Sequence, residues 1–334
     1  MKNLIVVCIL LSAFACTKKD EKQKMWIYTS LYKDTIADIQ PKLTAQFPDV
    51  EFQFYQAGSE EVAAKVQTES LAGGIQADIL ISSDRFWYEE MASKSNLITY
   101  RPSNADKVDD FFKHPDGFYT TLSYPVMVIA YNTDSVKESE APKTFKELTD
   151  AKWKDKVSVG SPLASGTSFT TVAFLVKNYG WEYFTQLKKN NLIAEGGNSG
   201  VIRRLQSKER PVGIVLMENV LRLTATDPRI KFLIPADGAV VQSNVLALVN
   251  KKTEGSAKKA ETTKKVADWM FSEEGQKAMA RSFMYPSVKG FEPPVGAPEF
   301  KQITATAKPW TREFITETMQ GRDQLKDQFT KTMF

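Results

Sequence analysis

The sequence predicts an α/β protein organised as two lobes. From Met25 onward, strand-like and helix-like segments alternate with short polar breaks, a pattern typical of sheets covered by helices. About 310 residues follow residue 24, which is more than one hydrophobic core usually organises. Two long apolar segments, 122–131 and 240–250, could each carry the chain from one lobe to the other.

The first fifteen residues, 1–15, are predicted to be a secretory signal that takes no part in the fold. Lys2 supplies a positive start, residues 4–11 form an apolar run, and residues 13–15 give a small-residue approach to Cys16. The apolar run is too short to span a bilayer, and no later stretch approaches the roughly 20 consecutive apolar residues that spanning requires. We therefore expect an exported protein without a membrane-spanning segment.

Cys16 is predicted to carry a lipid. The other cysteine, Cys8, lies within the predicted signal, so no disulfide is expected within the mature chain. The Ala-Phe-Ala-Cys junction at 13–16 and the polar residues that follow it resemble a bacterial lipobox with its tether. That resemblance implies a lipoprotein anchored at Cys16, in the periplasm or at the cell surface, with residues 16–24 as the tether. The alternative is an ordinary cleavage site beside an incidental cysteine.

The rest of the chain is assigned from its hydrophobic periodicity. The spacing of Ile36, Ile39, Leu43 and Phe47, for example, is that of one apolar helix face. Strands are predicted over 25–28, 50–55, 77–81, 157–159 and 212–216. Helices are predicted over 34–47, 60–71, 169–178, 181–188, 202–206, 257–281 and 311–333.

Charge excludes one class of partner. The formal net charge is +4 over 334 residues, and the basic residues are interspersed with acidic ones. A dedicated nucleic-acid-binding protein gathers its positive charge on one face or in one segment. We therefore expect no nucleic-acid partner.

Seven short motifs, each weak by itself, are specific in their order and spacing. They are Trp26-Ile-Tyr-Thr-Ser, Ala77-Asp-Ile-Leu-Ile-Ser-Ser, Tyr124-Pro-Val-Met-Val-Ile-Ala-Tyr-Asn-Thr-Asp, Thr144-Phe-Lys-Glu-Leu, Val157-Ser-Val-Gly-Ser-Pro, Ala194-Glu-Gly-Gly-Asn-Ser-Gly-Val and Ile234-Pro-Ala-Asp-Gly-Ala-Val-Val. Over nearly its whole mature length, the chain resembles the periplasmic solute-binding proteins of ABC importers. The resemblance is to the branch that holds ferric-iron, hexose-phosphate, phosphonate and spermidine-type receptors.

The resemblance implies a type II binding fold, in which two α/β lobes are joined by two crossover strands and hold a small ligand between them. We expect a monomer that works with a permease and an ATPase, touches the membrane through its lipid anchor only, and needs no cofactor. The expected boundaries are 25–127 with 243–285 for the first lobe and 128–242 with 286–334 for the second.

Polar residues at strand-to-helix junctions are the candidate ligand-binding residues. Where a helix begins, the first-turn N–H groups are unpaired and the helix dipole is positive, which favours an anion. These junctions carry Thr29, Ser30, Gly58, Ser59, Ser82, Ser83, Ser165, Gly166, Thr167, Ser168, Asn198 and Ser199. The alternative is that they are only N-caps, which any α/β protein has. Their match to the order of cleft junctions in the family that the chain resembles favours binding.

The segment 213–221 bears on the ferric branch. Iron-binding relatives place adjacent tyrosines in this region, whereas this chain has Glu218 and Asn219 and no tyrosine pair. Glu218 could accept hydrogen bonds from sugar hydroxyls or pair with a ligand ammonium, or else be a solvated strand-end acid. We therefore expect a small phosphorylated organic anion, of the hexose-phosphate or phosphonate type. Ferric iron or another small anion is the alternative within this fold.

Catalysis is the weaker hypothesis. The one histidine, His114, has no nucleophile motif nearby, and Cys16 is assigned to the anchor. Neither zinc-like ligand spacing nor the Gly-Lys-Ser/Thr of a phosphate-binding loop occurs. Because acidic residues are plentiful, a carboxylate-dependent periplasmic phosphoesterase stays open as an alternative of another class.

Overall fold

The computed structural model describes residues 22–251, 257–308 and 310–334. The predicted signal, Cys16 and most of the predicted tether lie outside the described residues. Within the described ranges, no helix combines the length and the apolar character that crossing a membrane would need.

Strands and helices alternate along the described chain, as predicted. The strands are β1 (Gln23–Thr29), β2 (Val50–Gln56), β3 (Ile79–Ser83), β4 (Thr120–Tyr124), β5 (Val126–Asn132), β6 (Val157–Val159), β7 (Ile193–Ala194), β8 (Val212–Leu216), β9 (Ile230–Leu233), β10 (Val240–Val241), β11 (Asn244–Leu248) and β12 (Tyr285–Pro286). The helices are α1 (Lys33–Gln46), α2 (Ser59–Leu71), α3 (Arg85–Ser93), α4 (Gly166–Lys189), α5 (Asn198–Ser207), α6 (Met217–Leu223), α7 (Ala257–Met270), α8 (Glu273–Arg281), α9 (Phe300–Thr304), α10 (Arg312–Gln320) and α11 (Arg322–Met333).

The first sheet has the strand order β12-β4-β11-β3-β1-β2, and we call it, with the helices packed on it, lobe 1. β1 pairs in parallel with β2 and β3, whereas β11 is antiparallel to β3 and β4. Every residue of β3 is buried: Ile79 and Ile81 belong to one hydrophobic core, and Leu80 belongs to the core on the opposite face. Because successive strand residues point to opposite faces, helices cover both sides of this sheet.

The second sheet has the order β10-β5-β8-β6-β7, with β9 also paired to β5, and we call it, with its helices, lobe 2. β8 is parallel to β6 and antiparallel to β5. β5 is buried throughout, with Met127 and Ile129 in one core and Val128 and Ala130 on the other face. Two separate sheets with their own cores confirm the predicted α/β fold.

The two crossovers between the sheets lie side by side. Pro125 separates β4 of the first sheet from β5 of the second, since proline lacks the N–H that a continuous strand would use. At the second crossover, Gln242 and Ser243 lie between β10 of the second sheet and β11 of the first. The N–H of Gln242 donates to the Pro125 carbonyl at 2.8 Å, and its side-chain amide donates to the Thr167 carbonyl of α4 at 3.0 Å. The start of α4 is therefore fixed to the crossover.

The apolar segments predicted to run between lobes are thus each divided into two strands of different sheets. The chain passes from one sheet to the other at Pro125 and at 242–243, close to the predicted lobe boundaries at 127/128 and 242/243. The lobe boundaries themselves stay a prediction. The C-terminal residues, predicted to belong wholly to the second lobe, contact both. α11 packs on α4 through Phe329 and Met333, whereas α10 packs on α3, with the Phe314 ring 5.9 Å from the Phe86 ring.

A buried ion-pair cluster joins α11 to lobe 1. The Arg322 guanidinium donates to Asp84 Oδ2 at 2.7 Å and to Glu60 Oε1 at 2.7 Å, and Lys326 Nζ lies 2.6 Å from Glu60 Oε2. The Arg322 and Glu60 side chains are each 13% exposed and Asp84 is 3% exposed, so bulk water screens these pairs little. Removing one partner of a buried pair typically costs about 3–5 kcal/mol. We call this cluster the C-terminal clasp.

The first residue of α4 lies in close contact with lobe 1. The Gly166 N–H donates to Ser59 Oγ at 2.7 Å. A methyl group built on Gly166 would lie 1.9 Å from the Ser83 carbonyl oxygen and 2.8 Å from Ser59 Oγ. The backbone of α4 therefore touches the backbone of lobe 1, and only glycine fits at this position.

We expect Gly166→Ala to lower the free energy of unfolding by about 1–3 kcal/mol, because the added methyl overpacks the contact between the lobes. Calorimetric melting measures the loss, and small-angle scattering detects any separation of the lobes. Gly74→Ala is the matched control, since a methyl there meets nothing within 4 Å. If Gly166→Ala changes neither the melting temperature nor the radius of gyration, the close approach is wrong.

Candidate functional site

A cavity of about 280 Å³ lies between the lobes beside the crossovers. Lobe 1 contributes the segments that follow β1, β2 and β3, and lobe 2 contributes those that precede α4, α5 and α6. Pro125 and Asn244, at the two crossovers, also line it. The cavity is therefore built from both halves of the fold.

Three helices of normal length begin at the cavity wall. The residues immediately before α2, α4 and α5 are Gly58, Ser165 and Gly197, and all three line the cavity. The first N–H groups of a helix have no partner within the helix, and the helix dipole is positive at this end. Because parallel strands bring their carboxyl ends to one edge of a sheet, the helices that follow them start at that same edge. The cavity wall thus carries positive potential supplied by the backbone.

Ser165, Thr167 and Asn198 form a hydrogen-bonded network in lobe 2. Ser165 Oγ accepts from the Ser168 N–H at 3.3 Å and so caps α4, and it lies 2.9 Å from Thr167 Oγ1. The side-chain amide of Asn198 donates to Thr167 Oγ1 at 2.9 Å. Asn198 Oδ1 is buried and has no hydrogen-bond partner among the described residues. The network holds the hydroxyl and amide groups in place and leaves one buried acceptor unused.

Glu218 is the one carboxylate that lines the cavity, and none of the described lining residues is lysine, arginine or histidine. The Glu218 residue is 2% exposed. Burial raises the pKa of its carboxyl to about 8, although nearby Arg222 and backbone hydrogen bonds favour the ionised form. At neutral pH, most Glu218 side chains of the ligand-free protein therefore hold a proton.

Contacts between α1 and α6 close one side of the cavity. The Tyr32 hydroxyl donates to Asn219 Oδ1 at 3.1 Å, and both residues line the cavity. The Arg222 guanidinium lies 4.1 Å from the centre of the Tyr32 ring and pairs with Asp34. We call these contacts the rim.

Nine of the predicted ligand-binding residues line the cavity, and their assignment to ligand contacts stays a prediction. They are Ser30, Gly58, Ser59, Ser83, Ser165, Thr167, Asn198, Ser199 and Glu218.

The other four predicted residues lie behind the cavity wall. Thr29 Oγ1 accepts from the Leu31 N–H at 3.0 Å, and Ser82 Oγ lies 3.2 Å from the Tyr88 hydroxyl. Each precedes a serine that does line the cavity, because adjacent residues of a strand point to opposite sides. Gly166 is packed against lobe 1, and Ser168 Oγ is buried beside Gly160.

Eleven of the lining residues were not among the predicted ligand-binding residues, and Gln56, Asn244 and Met284 are three of them. Gln56 ends β2, so the rule that ligands bind at the carboxyl ends of parallel strands could have found it. Asn244 begins an antiparallel strand and Met284 lies in a loop, and no local signal marks either. Within the described ranges, no group of three His, Cys, Asp or Glu side chains is close enough to hold a metal ion.

We expect Glu218→Gln to change how the stability of the ligand-free protein depends on pH. The folded carboxyl keeps its proton up to about pH 8, whereas the unfolded chain releases it near the ordinary value of 4.5. The wild type should therefore lose stability between about pH 5 and pH 8, by at least about 2 kcal/mol from this group. The variant lacks that loss, so its melting temperature should exceed that of the wild type by a margin that grows with pH. Glu209→Gln, at a side chain 56% exposed, is the control; parallel curves for all three proteins would contradict the burial of an ionisable Glu218.

Comparison with known proteins places the chain in a family. The profile of the bacterial extracellular solute-binding proteins matches residues 75–312. A putative 2-aminoethylphosphonate-binding periplasmic protein of Salmonella typhimurium is 26% identical over 212 residues, which are 60% of this chain and 59% of that protein.

Solved structures share the fold at low sequence identity. The substrate-binding protein of an ABC transporter from Agrobacterium tumefaciens superposes with a TM-score of 0.82 at 16% identity, covering 95% of this chain and 96% of that one. The periplasmic binding protein AfuA from Actinobacillus pleuropneumoniae, with fructose 6-phosphate bound, superposes with a TM-score of 0.80 at 20% identity, covering 93% and 99%. Because the family profile matches residues 75–312, which are more than half of the chain, the chain belongs to the bacterial extracellular solute-binding protein family.

Proposed function

We propose that this protein is a lipid-anchored, extracytoplasmic receptor of an ABC transporter that binds a small phosphorylated organic anion of the hexose-phosphate or phosphonate type. The observation that carries the proposal is the convergence of α2, α4 and α5, from both lobes, on one cavity. Helix starts and hydroxyl groups are the groups that bind phosphate oxygens in proteins.

The energy of such a site is sufficient for a receptor. Each charge-assisted hydrogen bond to a dehydrated phosphate contributes about 1.5–3 kcal/mol. Four or five of them give micromolar affinity or better after the cost of association and lobe closure. The cavity of about 280 Å³ is at the small end of ligand pockets, which favours a compact solute.

The relatives support a ligand of this class. AfuA carries fructose 6-phosphate in its solved structure, and the Salmonella protein is named for 2-aminoethylphosphonate. Both ligands unite a phosphate or phosphonate group with hydroxyl or amine groups. The polar lining of the cavity suits both parts, because serine, threonine and helix N–H groups donate while Glu218 and Asn198 accept.

Transport follows from closure of the lobes. Ligand that contacts both lobes binds the closed form more tightly, so it shifts the population toward that form. A permease and its ATPase would recognise the closed form. The lipid on Cys16 would keep the receptor at the membrane. We infer binding without catalysis: Glu218 is the one carboxylate among the described lining residues, whereas general acid–base hydrolysis uses a pair of such groups.

Mass spectrometry of ligand released from the purified protein, with metal analysis of the same sample, separates the receptor types. Phosphate release from candidate esters tests the phosphoesterase alternative. Bound iron without a phosphorylated compound would overturn the proposal in favour of a ferric receptor. Turnover of an ester would overturn it in favour of an enzyme.

We expect Ser199→Ala to weaken binding of fructose 6-phosphate or 2-aminoethylphosphonate, whichever the protein binds, at least about tenfold by calorimetry, because a charge-assisted hydrogen bond is lost. Ser199 lies in the first turn of α5 at the cavity. Ser207→Ala, at the exposed last residue of the same helix, is the control and should leave the affinity unchanged. Equal affinities of the two variants would remove α5 from the site.

A further inference from the structure

We propose that Glu218 makes the cavity selective for zwitterions, that is, for ligands that carry a protonated amine beside the phosphate or phosphonate group, and that the amine binds Glu218. The inference rests on the proposed function and adds the class of ligand within it.

The cavity offers an anion no compensating side-chain cation. The described lining residues are neutral apart from the carboxyl of Glu218, and the positive potential comes from helix starts, which amounts to partial charges. A purely anionic ligand brings no group that could pair with the Glu218 carboxylate. A zwitterion brings its own positive charge, which forms an ion pair with that carboxylate inside the cavity.

An acceptor in the cavity wall is left without a donor. Asn198 Oδ1 is buried and has no partner among the described residues, whereas the buried Glu218 carboxyl accepts hydrogen bonds from backbone N–H groups, including that of Val126. A phosphate offers few or no donors, whereas an ammonium offers three. Because an unpaired buried acceptor costs free energy, a ligand that brings N–H donors into the cavity is favoured.

Among the described residues, the charged and titratable groups around Glu218 form no ion pair with its carboxyl. From its own helix, Arg222 faces it, but the Arg222 guanidinium pairs with Asp34 of α1, donates to the Ser282 carbonyl at 3.0 Å and lies over the Tyr32 ring. Tyr32 is the other titratable neighbour, and burial raises the pKa of its hydroxyl above the ordinary value. Arg222 thus holds the rim together and leaves the carboxyl of Glu218 to the cavity.

Binding of an amine would then release a proton. Before an amine binds, most Glu218 carboxyls hold a proton at pH 7, since burial raises the pKa to about 8. When the ligand ammonium binds, the O–H bond of the carboxyl breaks, the proton passes to buffer, and the carboxylate accepts a hydrogen bond from the ammonium. A ligand with hydroxyl groups alone leaves the carboxyl protonated, because no cation stabilises the buried charge.

The test is calorimetry at pH 7 in two buffers of different ionisation enthalpy, with 2-aminoethylphosphonate, ethylphosphonate and fructose 6-phosphate as probes. The wild type should bind 2-aminoethylphosphonate at least about tenfold more tightly than ethylphosphonate, which differs only by the amine. Binding of 2-aminoethylphosphonate should release close to one proton. Glu218→Gln should abolish that release and remove most of the preference, while Glu209→Gln at the exposed site keeps both.

The outcomes separate this inference from the proposed function. Tight binding of fructose 6-phosphate without preference for the amine, or amine binding without proton release in the wild type, overturns the inference and leaves the proposed function standing. If none of the three probes binds, the proposed function fails and the inference with it. The proton count of the wild type decides the matter even if Glu218→Gln does not fold.

Discussion

The site depends on one contact, the hydrogen bond from the Gly166 N–H to Ser59 Oγ across the two lobes. It brings the first residue of α4 against the first residue of α2, and a glycine is required because the Ser83 carbonyl occupies the space of a side chain. Gln242, at the crossover, fixes the same turn of α4 from the other side. Two helix starts therefore meet at one wall, and none of the described lining residues there is lysine, arginine or histidine.

In this arrangement, the groups that attract an anion are backbone N–H groups, which do not titrate. Positive potential that comes from peptide dipoles does not change with pH, whereas a histidine or lysine in the wall would titrate or demand a buried counter-charge. Glu218 then becomes the lining group whose protonation changes near neutral pH. The burial of the Glu218 carboxyl costs stability in the ligand-free protein. An ion pair with a ligand amine would offset that cost.

Two groups of contacts hold the lobes on different sides of the cavity. The C-terminal clasp joins α11 to lobe 1 through Arg322, and the rim joins α6 to α1 through Tyr32 and Arg222. The clasp is buried and adjoins the aromatic packing of Phe86 on Phe169, close to the crossover. The rim residues Tyr32 and Asn219 touch the cavity itself, so opening the cavity on that side would break the Tyr32–Asn219 hydrogen bond and the contacts of Arg222 with Asp34, the Ser282 carbonyl and the Tyr32 ring.

The sequence alone determined the α/β alternation, the junctions where helices begin and the absence of a tyrosine pair, because hydrophobic periodicity and N-cap chemistry are local properties. Tertiary structure decided which member of each polar pair faces the cavity, as with Ser82 and Ser83, since that choice depends on which strand face meets the other lobe. It also recruited Asn244 and Met284 from distant segments and buried Glu218, which the sequence left open as a solvated acid. Burial is a sum over neighbours from both lobes, so no local pattern encodes it.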